Sequence, residues 1–412
     1  MKQILLKKNT KAFNETIQLA SSKSESNRAL IINALCGFNG ELLNLSSARD
    51  TQTMIKLLES KDSIADVIDA GTTMRFLTAY FTATNQSKLM TGTARMCERP
   101  IGILVEALSK LGGQVEYLDK EGYPRLLIKG LKEQKTAQLT MRGDVSSQYI
   151  SAILMIAPYL PYGLILKLEG EVGSIPYIQM TISQMEAFGV SVRADWDEKI
   201  LKVAPQKYKP ITYRIESDWS GASYWYSVLA LDKNPNSTIK LLGLKEKSLQ
   251  GDSAIVDIMS QLGVKSEFQE DGVFLTKIPA ESSLEWDFTN CPDLCQTVSV
   301  TVAALGIEAT FTGIESLKIK ETDRVYAIQT ELAKINAKME EVETNHKYVV
   351  KSAFDLSSFD KTIVIETYED HRMAMAFAPL AMLINLKIND PDVVVKSYPE
   401  FWDDLAKVVT IA

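Results

Sequence analysis

The chain has 412 residues, 46% hydrophobic and 24% charged, the mix of a folded globular protein of two or three domains and not of a disordered or collagen-like one. Lysine and arginine total 45 against 52 aspartates and glutamates, a net charge of −7, which is the wrong sign for a protein whose main task is gripping nucleic acid. Four scattered cysteines, Cys36, Cys97, Cys291 and Cys295, are too few for a disulfide scaffold and fit a reducing compartment. With only His346 and His371 besides, a zinc site is not expected. The opening MKQILLKKNTKAF has no apolar signal region, and the longest uncharged stretch, Val145 to Leu166, is broken by Pro158, Pro161 and Gly163. A soluble, cytoplasmic protein is expected.

In chain order, six segments open with small or polar residues and run on as strongly apolar helices, from Ser24, Thr72, Ser146, Ser220, Gln296 and His371. The steps between their starts are 48, 74, 74, 76 and 75 residues. Apolar side chains lie on most faces, so each helix is expected to be buried. In step with them, four amphipathic helix ends lead into an alternating strand, a polar turn and a second alternating strand. Gly112, Gly189, Gly263 and Asn336 hold the equivalent place in these four, 77, 74 and 73 residues apart. A helix C-terminus there wants a residue that tolerates left-handed φ. Spacing this regular marks an internal repeat.

The fold class is therefore α/β, with six units that each carry one buried helix and a sheet-bearing hairpin. Six units exceed one core's comfortable size, so two domains of three units each are expected. The break is placed between Lys209–Pro210 and Glu216. Residues 20–215 would form one domain, and 216–412 the other, completed by the N-terminal strand in 1–19.

Polar residues of chemical interest gather at the N-terminal ends of the buried helices. Lys23, Ser24 and Arg28 head the first, Gly71, Thr72 and Arg75 the second, and Ser146, Ser147 and Gln148 the third. Asp293 precedes the fifth, and His371 with Arg372 heads the sixth. A helix N-terminus carries unpaired N–H groups and about half a positive charge, so several such ends with Lys and Arg would make an anion-seeking cleft. Singly, each residue has a plainer reading. Serine, threonine and Asp293 would be caps, Gly71 a turn residue, His371 a packed imidazole, and Lys318 to Arg324 a solvated charged run. Their joint occurrence points to a site.

Ten segments in order, SSKSESNRAL (21–30), DAGTTMRFL (69–77), RMCERPIG (95–102), GDVSSQ (143–148), GSIPYI (173–178), QGD (250–252), PD (292–293), IKETDR (319–324), EDHRMAMA (369–376) and KSYPEFW (396–402), resemble the signature of the 5-enolpyruvylshikimate-3-phosphate synthase family. The resemblance covers nearly the whole chain. It implies two domains of three βαβαββ units around buried helices, an inside-out α/β barrel, with the active site in the interdomain cleft. The implied reaction moves the enolpyruvyl group of phosphoenolpyruvate to the 5-hydroxyl of shikimate 3-phosphate through a tetrahedral ketal, with loss of phosphate. No metal or organic cofactor is implied. The two substrates bring about six negative charges near neutral pH, and the matching cations are Lys23, Arg28, Arg99, Lys320, Arg324, Arg372 and Lys396.

By the same resemblance, Lys23, Gly71, Arg99, Gln148, Arg324, Arg372 and Lys396 would hold phosphoenolpyruvate. Lys23, Ser24, Arg28, Ser146, Ser147, Gln148, Ser174, Tyr177, Asp293, Ser316 and Lys320 would hold shikimate 3-phosphate. Asp293 is similar to the base that takes the 5-hydroxyl proton. Glu321, assisted by Lys23, would deliver and withdraw the proton at the methylene carbon, with His371 tuning it. The partners would be these two small molecules, with neither nucleic acid nor membrane, and the two-domain design needs no second subunit, so a monomer is expected.

The chain also departs from the family pattern. Ala20-Ser21 replace Pro-Gly, Phe76 replaces Pro, Ser316 replaces Asn and Lys318 a frequent Arg. Asp69 stands where Asn is common, and a carboxylate there should weaken anion binding unless it is protonated or paired with a neighbour such as Arg75. Three other readings are carried. A sister enzyme acting on a UDP-aminosugar would use a mobile-loop cysteine, for which Cys97 is the one candidate, but it opens with Lys-Asn and not Lys23-Ser24. A catalytically inactive anion-binding protein would have lost Asp293, Glu321 or Lys23, all present here. A nucleic-acid end-processing enzyme would need a basic stripe that is missing.

Overall fold

Helices that are apolar on every face need sheets around them, and the described structure supplies six. The computed structural model describes residues 2–9, 11–356 and 362–412. The chain divides into two units, Ser21–Ile215 and Met1–Ala20 with Glu216–Ala412.

In the unit Ser21–Ile215 the helices that matter are α1 (Lys23–Leu35), α2 (Arg49–Glu59), α3 (Gly71–Ala83), α4 (Ser147–Ile156) and α5 (Ile175–Ala187). Nearly every residue of α1, α3 and α4 is buried. Thr78 and Thr82 of α3 satisfy their hydroxyls on the carbonyls four residues back, which lets threonine sit in a dry helix. One sheet runs Ile64–Asp66, Lys88–Thr91, Leu126–Gly130, Gln114–Tyr117 in space, and a second runs Gln138–Arg142, Leu164–Glu169, Ile200–Val203, Arg193–Asp195. In each, the first pair is parallel and spans a buried helix, while the other two pairings are antiparallel. The register sets Leu139 opposite Leu166 and Met141 opposite Leu168, all buried.

The second unit holds α6 (Trp219–Leu231), α7 (Cys295–Leu305), α8 (Arg324–Ala333) and α9 (His371–Phe377). Its sheets Asn14–Gln18, Thr238–Leu242, Gly272–Lys277, Val264–Gln269 and Ser283–Asp287, Glu308–Thr312, Lys347–Ser352, Ala337–Glu343 repeat the same order. A further sheet places Ile363–Ile365, Leu386–Asn389, Gln3–Lys7 and Thr410–Ile411 side by side, so strands near the two chain ends stand where other units have a hairpin.

The expected repeat is therefore not uniform. The first unit has a two-stranded parallel pair, Glu41–Leu43 with Thr212–Arg214, and not a four-stranded sheet. Its cause lies in the spacing: the first two buried helices start 48 residues apart and the later ones 74 to 76. The shortfall is about the length of a helix end and hairpin. Where the hairpin is present, the left-handed position is as expected, with φ of +108° at Gly112, +81° at Gly189, +97° at Gly263 and +57° at Asn336.

Each unit has its own apolar core. Phe76, Phe81 and Phe188 are fully buried in one, and Trp225, Phe288 and Phe311 in the other, each ring contributing roughly 2–3 kcal/mol by leaving water. Between α6 and α7, Ser223 Oγ meets Thr297 Oγ1 at 3.2 Å and, one turn on, Ser227 Oγ meets Thr301 Oγ1 at 2.8 Å. Small hydroxyl side chains let the two buried helices approach, and each completes the other's hydrogen bond.

Candidate active site

In the unit Ser21–Ile215 the heads of α1, α3 and α4 carry the expected residues. The cap of α1 is Ser22, whose Oγ accepts from the Glu25 N–H. That leaves Lys23 and Ser24 in the first turn. Lys23 Nζ lies 3.2 Å from Asp50 Oδ2, and the Asp50 carbonyl accepts from Thr73 Oγ1, so the first turn of α2 ties the heads of α1 and α3 together. Arg28 is buried. It donates to Thr181 Oγ1 at 2.7 Å, Ser151 Oγ at 3.2 Å and the Ser24 carbonyl at 2.9 Å. Its guanidinium sits over the rings of Phe76 and Tyr177 at 5.4 and 5.9 Å, a cation–π seat that gives Phe76 a use. Burial pulls the Arg28 pKa down to about 10, against the Tyr177 and Glu25 charges, which still leaves a full cation at neutral pH.

No side chain caps α3, whose cap position is Ala70. A Cβ on Gly71 would stand 2.7 Å from Arg75 Nη1 and 2.8 Å from Arg99 Nη1, so only glycine leaves room for both guanidinium tips. Gln148 spans two residues of α3, accepting from Arg75 at 3.0 Å and donating to Thr72 Oγ1 at 3.0 Å. Ser146 caps α4 by accepting from the Gln148 N–H, and Ser147 is buried. Ser174 takes the cap position of α5 with φ +54° but makes no capping bond. Asp69 does not pair with Arg75. Arg49 Nη2 donates to both of its oxygens at 2.9 Å, while Arg75 is occupied with Gln148, the Pro100 carbonyl and the Tyr149 ring.

The unit with Glu216–Ala412 gathers a second group. Arg324 is the hub: Nη1 donates to Asp293 Oδ1 at 2.9 Å, Nη2 to Glu321 Oε2 at 2.9 Å, and Nε to Asp370 Oδ2 at 2.7 Å. Arg372 Nη2 donates to the other Asp293 oxygen at 2.8 Å, and Lys396 Nζ stands 3.7 Å from Glu321 Oε1. Asp370 also caps α9 by accepting from the Arg372 N–H, and His371 Nδ1 is 3.6 Å from it. Burial opposes the Arg324 charge, but Asp370, Glu321 and Asp293 more than offset it and hold the group protonated. Burial likewise pushes the Asp293 carboxyl up, and Arg372, Lys320 and Arg324 overcome that and hold it well below the ordinary range. Behind Arg372, Ser220 donates to Asp252, whose buried carboxyl is pushed up to about 6 by desolvation and by Asp293, against Arg372 and Ser220.

The charged run Lys318 to Arg324 thus splits. Glu321 and Arg324 belong to the group, Asp323 caps α8, and Lys318 turns away to Glu341 and Asn345. Ser316 is exposed, and among the described residues no hydrogen bond ties it to the group.

Across residues 58–405 the chain matches the family model described as EPSP synthase (3-phosphoshikimate 1-carboxyvinyltransferase). The chain belongs to the EPSP synthase family. It is 47% identical over 402 residues to a 3-phosphoshikimate 1-carboxyvinyltransferase of Bacteroides fragilis, covering 95% of this chain and 94% of that one. A protein of the same name from Sulfurovum sp. is 34% identical over 95% of this chain and 96% of its own. In fold, the chain is similar to EPSP synthase from Acinetobacter baumannii, with a TM-score of 0.77, 18% identity and full coverage of both chains.

Three carboxylates to which the sequence analysis gave no role of their own also take part. Asp370 and Asp50 are buried carboxylates paired with Arg324 and Lys23, and Asp252 with Ser220 backs Arg372. Asp370 caps α9 and also takes the buried Arg324, and nothing in the sequence tells such a cap from an ordinary one. Cys97, the residue the sister-enzyme reading needs, sits half-buried in the short helix Ala94–Cys97 with Sγ 3.8 Å from the Gly92 carbonyl.

Proposed function

We propose that this chain transfers the enolpyruvyl group of phosphoenolpyruvate to the 5-hydroxyl of shikimate 3-phosphate, releasing inorganic phosphate. Membership in the EPSP synthase family supports the reaction. The observation that carries the chemistry is the pair of carboxylates, Asp293 and Glu321, joined through one buried guanidinium. Addition needs a proton taken from the 5-hydroxyl and one given to the methylene carbon. Asp293, ionised far below neutral pH, is the base for the first, and Glu321 is the acid for the second. The hydroxyl oxygen bonds to C2 of phosphoenolpyruvate and gives the ketal. Elimination then breaks the C2–O bond to phosphate while Glu321 takes a proton back from the new methyl group. Such acid–base work contributes roughly 10²- to 10⁴-fold.

Arg324, Arg372 and Lys396 hold phosphoenolpyruvate beside these carboxylates. A substrate anion that shares Arg324 and Arg372 loosens their hold on Asp293 and makes it a stronger base when it is needed. Lys23, Gly71, Arg99 and Gln148 take the remaining charge of phosphoenolpyruvate. Lys23 also assists Glu321, and His371 tunes it. Arg28, Ser24, Ser146, Ser147, Ser174, Tyr177, Ser316 and Lys320 hold shikimate 3-phosphate, together with Lys23, Gln148 and Asp293. Fork-shaped guanidinium groups suit carboxylate and phosphate, and lysine supplies point charge. We infer further that the protein works as a cytoplasmic monomer on small molecules and not on nucleic acid; among the described residues no helix is long and apolar enough to cross a membrane.

Phosphate release from phosphoenolpyruvate, measured with and without shikimate 3-phosphate, tests the assignment. Release that depends on shikimate 3-phosphate supports it. Turnover with a UDP-aminosugar instead, or with neither acceptor, contradicts it.

A further inference from the structure

The turn that leads into α9 is strained, and a buried carboxylate holds it. The Asp370 N–H donates to the Thr367 carbonyl at 2.8 Å, closing a β-turn whose two central residues, Tyr368 and Glu369, have φ of +54° and +56°. Two left-handed central residues make the turn that Asn-Gly fills at low cost, and tyrosine and glutamate are strained there. Glu331, in the last turn of α8, is fully buried. Its Oε1 accepts from the Tyr368 hydroxyl at 2.8 Å, and its Oε2 from the Glu366 N–H at 3.1 Å and Lys334 Nζ at 2.7 Å. Lys334 also reaches the Val364 carbonyl at 2.9 Å. The helix α8 therefore grips this segment twice, through Arg324 on Asp370 at its first residue and through Glu331 on Glu366 and Tyr368 in its last turn.

We propose that Glu331 is a positioning residue for the reaction. By holding the strained turn it sets Asp370 and Arg372 against Arg324 and Asp293, and it does not itself touch substrate. This rests on the reading that Arg372 holds phosphoenolpyruvate beside Asp293. Asp370 caps α9 through the Arg372 N–H, so a turn that relaxes carries the Arg372 guanidinium away from the Asp293 oxygen it reaches at 2.8 Å. The carboxylate matters because both of its oxygens accept and three donors converge on them. Glutamine keeps the shape but has one accepting oxygen. Its NH2 group must then face either the Tyr368 hydroxyl, or the Glu366 N–H and the Lys334 ammonium.

The test compares wild type with Glu331→Gln, Tyr368→Phe and each of these combined with Glu369→Gly, by phosphate release well below the melting temperature. Glu331→Gln is expected to raise the KM for phosphoenolpyruvate about tenfold and Tyr368→Phe about threefold, with the KM for shikimate 3-phosphate changed less than about twofold. A merely destabilised enzyme loses active fraction, which lowers kcat and leaves both KM values alone. Glu369 is exposed, and glycine there removes the left-handed strain. Glu369→Gly alone should keep wild-type kinetics within about twofold, and in either variant it should restore about half of the lost KM or more. A KM loss that the glycine does not reduce overturns the proposal. Should Glu331→Gln fail to fold, Tyr368→Phe, which removes only a hydroxyl, decides by the same values. Wild type that turns over while the folded variants keep its KM values overturns this inference alone. Wild type that releases no phosphate from the substrate pair overturns the functional reading and this inference with it.

Discussion

Arg324 donates to Asp293 at 2.9 Å from one end of a guanidinium whose other nitrogens serve Glu321 and Asp370. The two carboxylates given proton-transfer roles are thus fixed relative to each other by one buried cation. A lysine offers a single nitrogen and cannot span three carboxylates. Arg324→Lys is expected to lower unfolding free energy by roughly 3–5 kcal/mol, the range for breaking a buried ion pair. It should also cut kcat/KM by about 100-fold or more. Urea unfolding and steady-state kinetics read the two effects. A variant that keeps wild-type stability would show that Arg324 is not the hub.

Glu321 accepts from Arg324 and faces Lys396 with its other oxygen. Glu321→Gln keeps the shape and removes the proton. Loss of kcat by about 10²- to 10⁴-fold is expected, together with loss of solvent-deuterium incorporation into the enolpyruvyl methylene. Incorporation at the wild-type rate would assign the methylene proton to another group.

Asp252 gives a pH signature. Its folded-state pKa, about 6, lies above the ordinary 3.8, so the folded protein keeps the proton that the unfolded chain has already lost. Stability from this group is present below about pH 4 and falls as pH rises towards 6. Asp252→Asn can still accept from Ser220 and carries no charge. Its unfolding free energy relative to wild type should rise by roughly 2–3 kcal/mol from pH 4 to above 6, then level off. Chemical denaturation at several pH values checks this, and a pH-independent difference would refute it.

Gly71→Ala inserts a methyl group against two guanidinium tips, which are flexible ends and can move. Melting temperature should therefore change little, with stability kept within about 1 kcal/mol. The KM for phosphoenolpyruvate should rise about tenfold or more as Arg99 and Arg75 are displaced. Equal KM values in glycine and alanine forms would remove Gly71 from the site.

Much of the fold was legible because burial leaves a period. The six apolar helices begin within a residue of their expected starts, from Lys23, Gly71, Ser147, Trp219, Cys295 and His371. The left-handed positions at Gly112, Gly189, Gly263 and Asn336 follow from helix C-terminus chemistry. The 48-residue first step held the information that one hairpin was missing, yet equal units were the simpler expectation. Charged partners were less legible, because pairing depends on which helix ends meet in space. Asp69 was expected to pair with a neighbour such as Arg75, and the placement of α2 sets Arg49 against it. Asp293 and His371, which taken singly read as a cap and a packed imidazole, lie beside Arg324 and Asp370, contacts that no spacing in the sequence announces.

The central claim is that Asp293 is the base for a reaction of the two named substrates. Single-turnover phosphate release by Asp293→Ala, with phosphoenolpyruvate and shikimate 3-phosphate both saturating, tests it most directly. The account predicts a rate lowered about 100-fold or more even with both substrates saturating. A rate within a fewfold of wild type would contradict it.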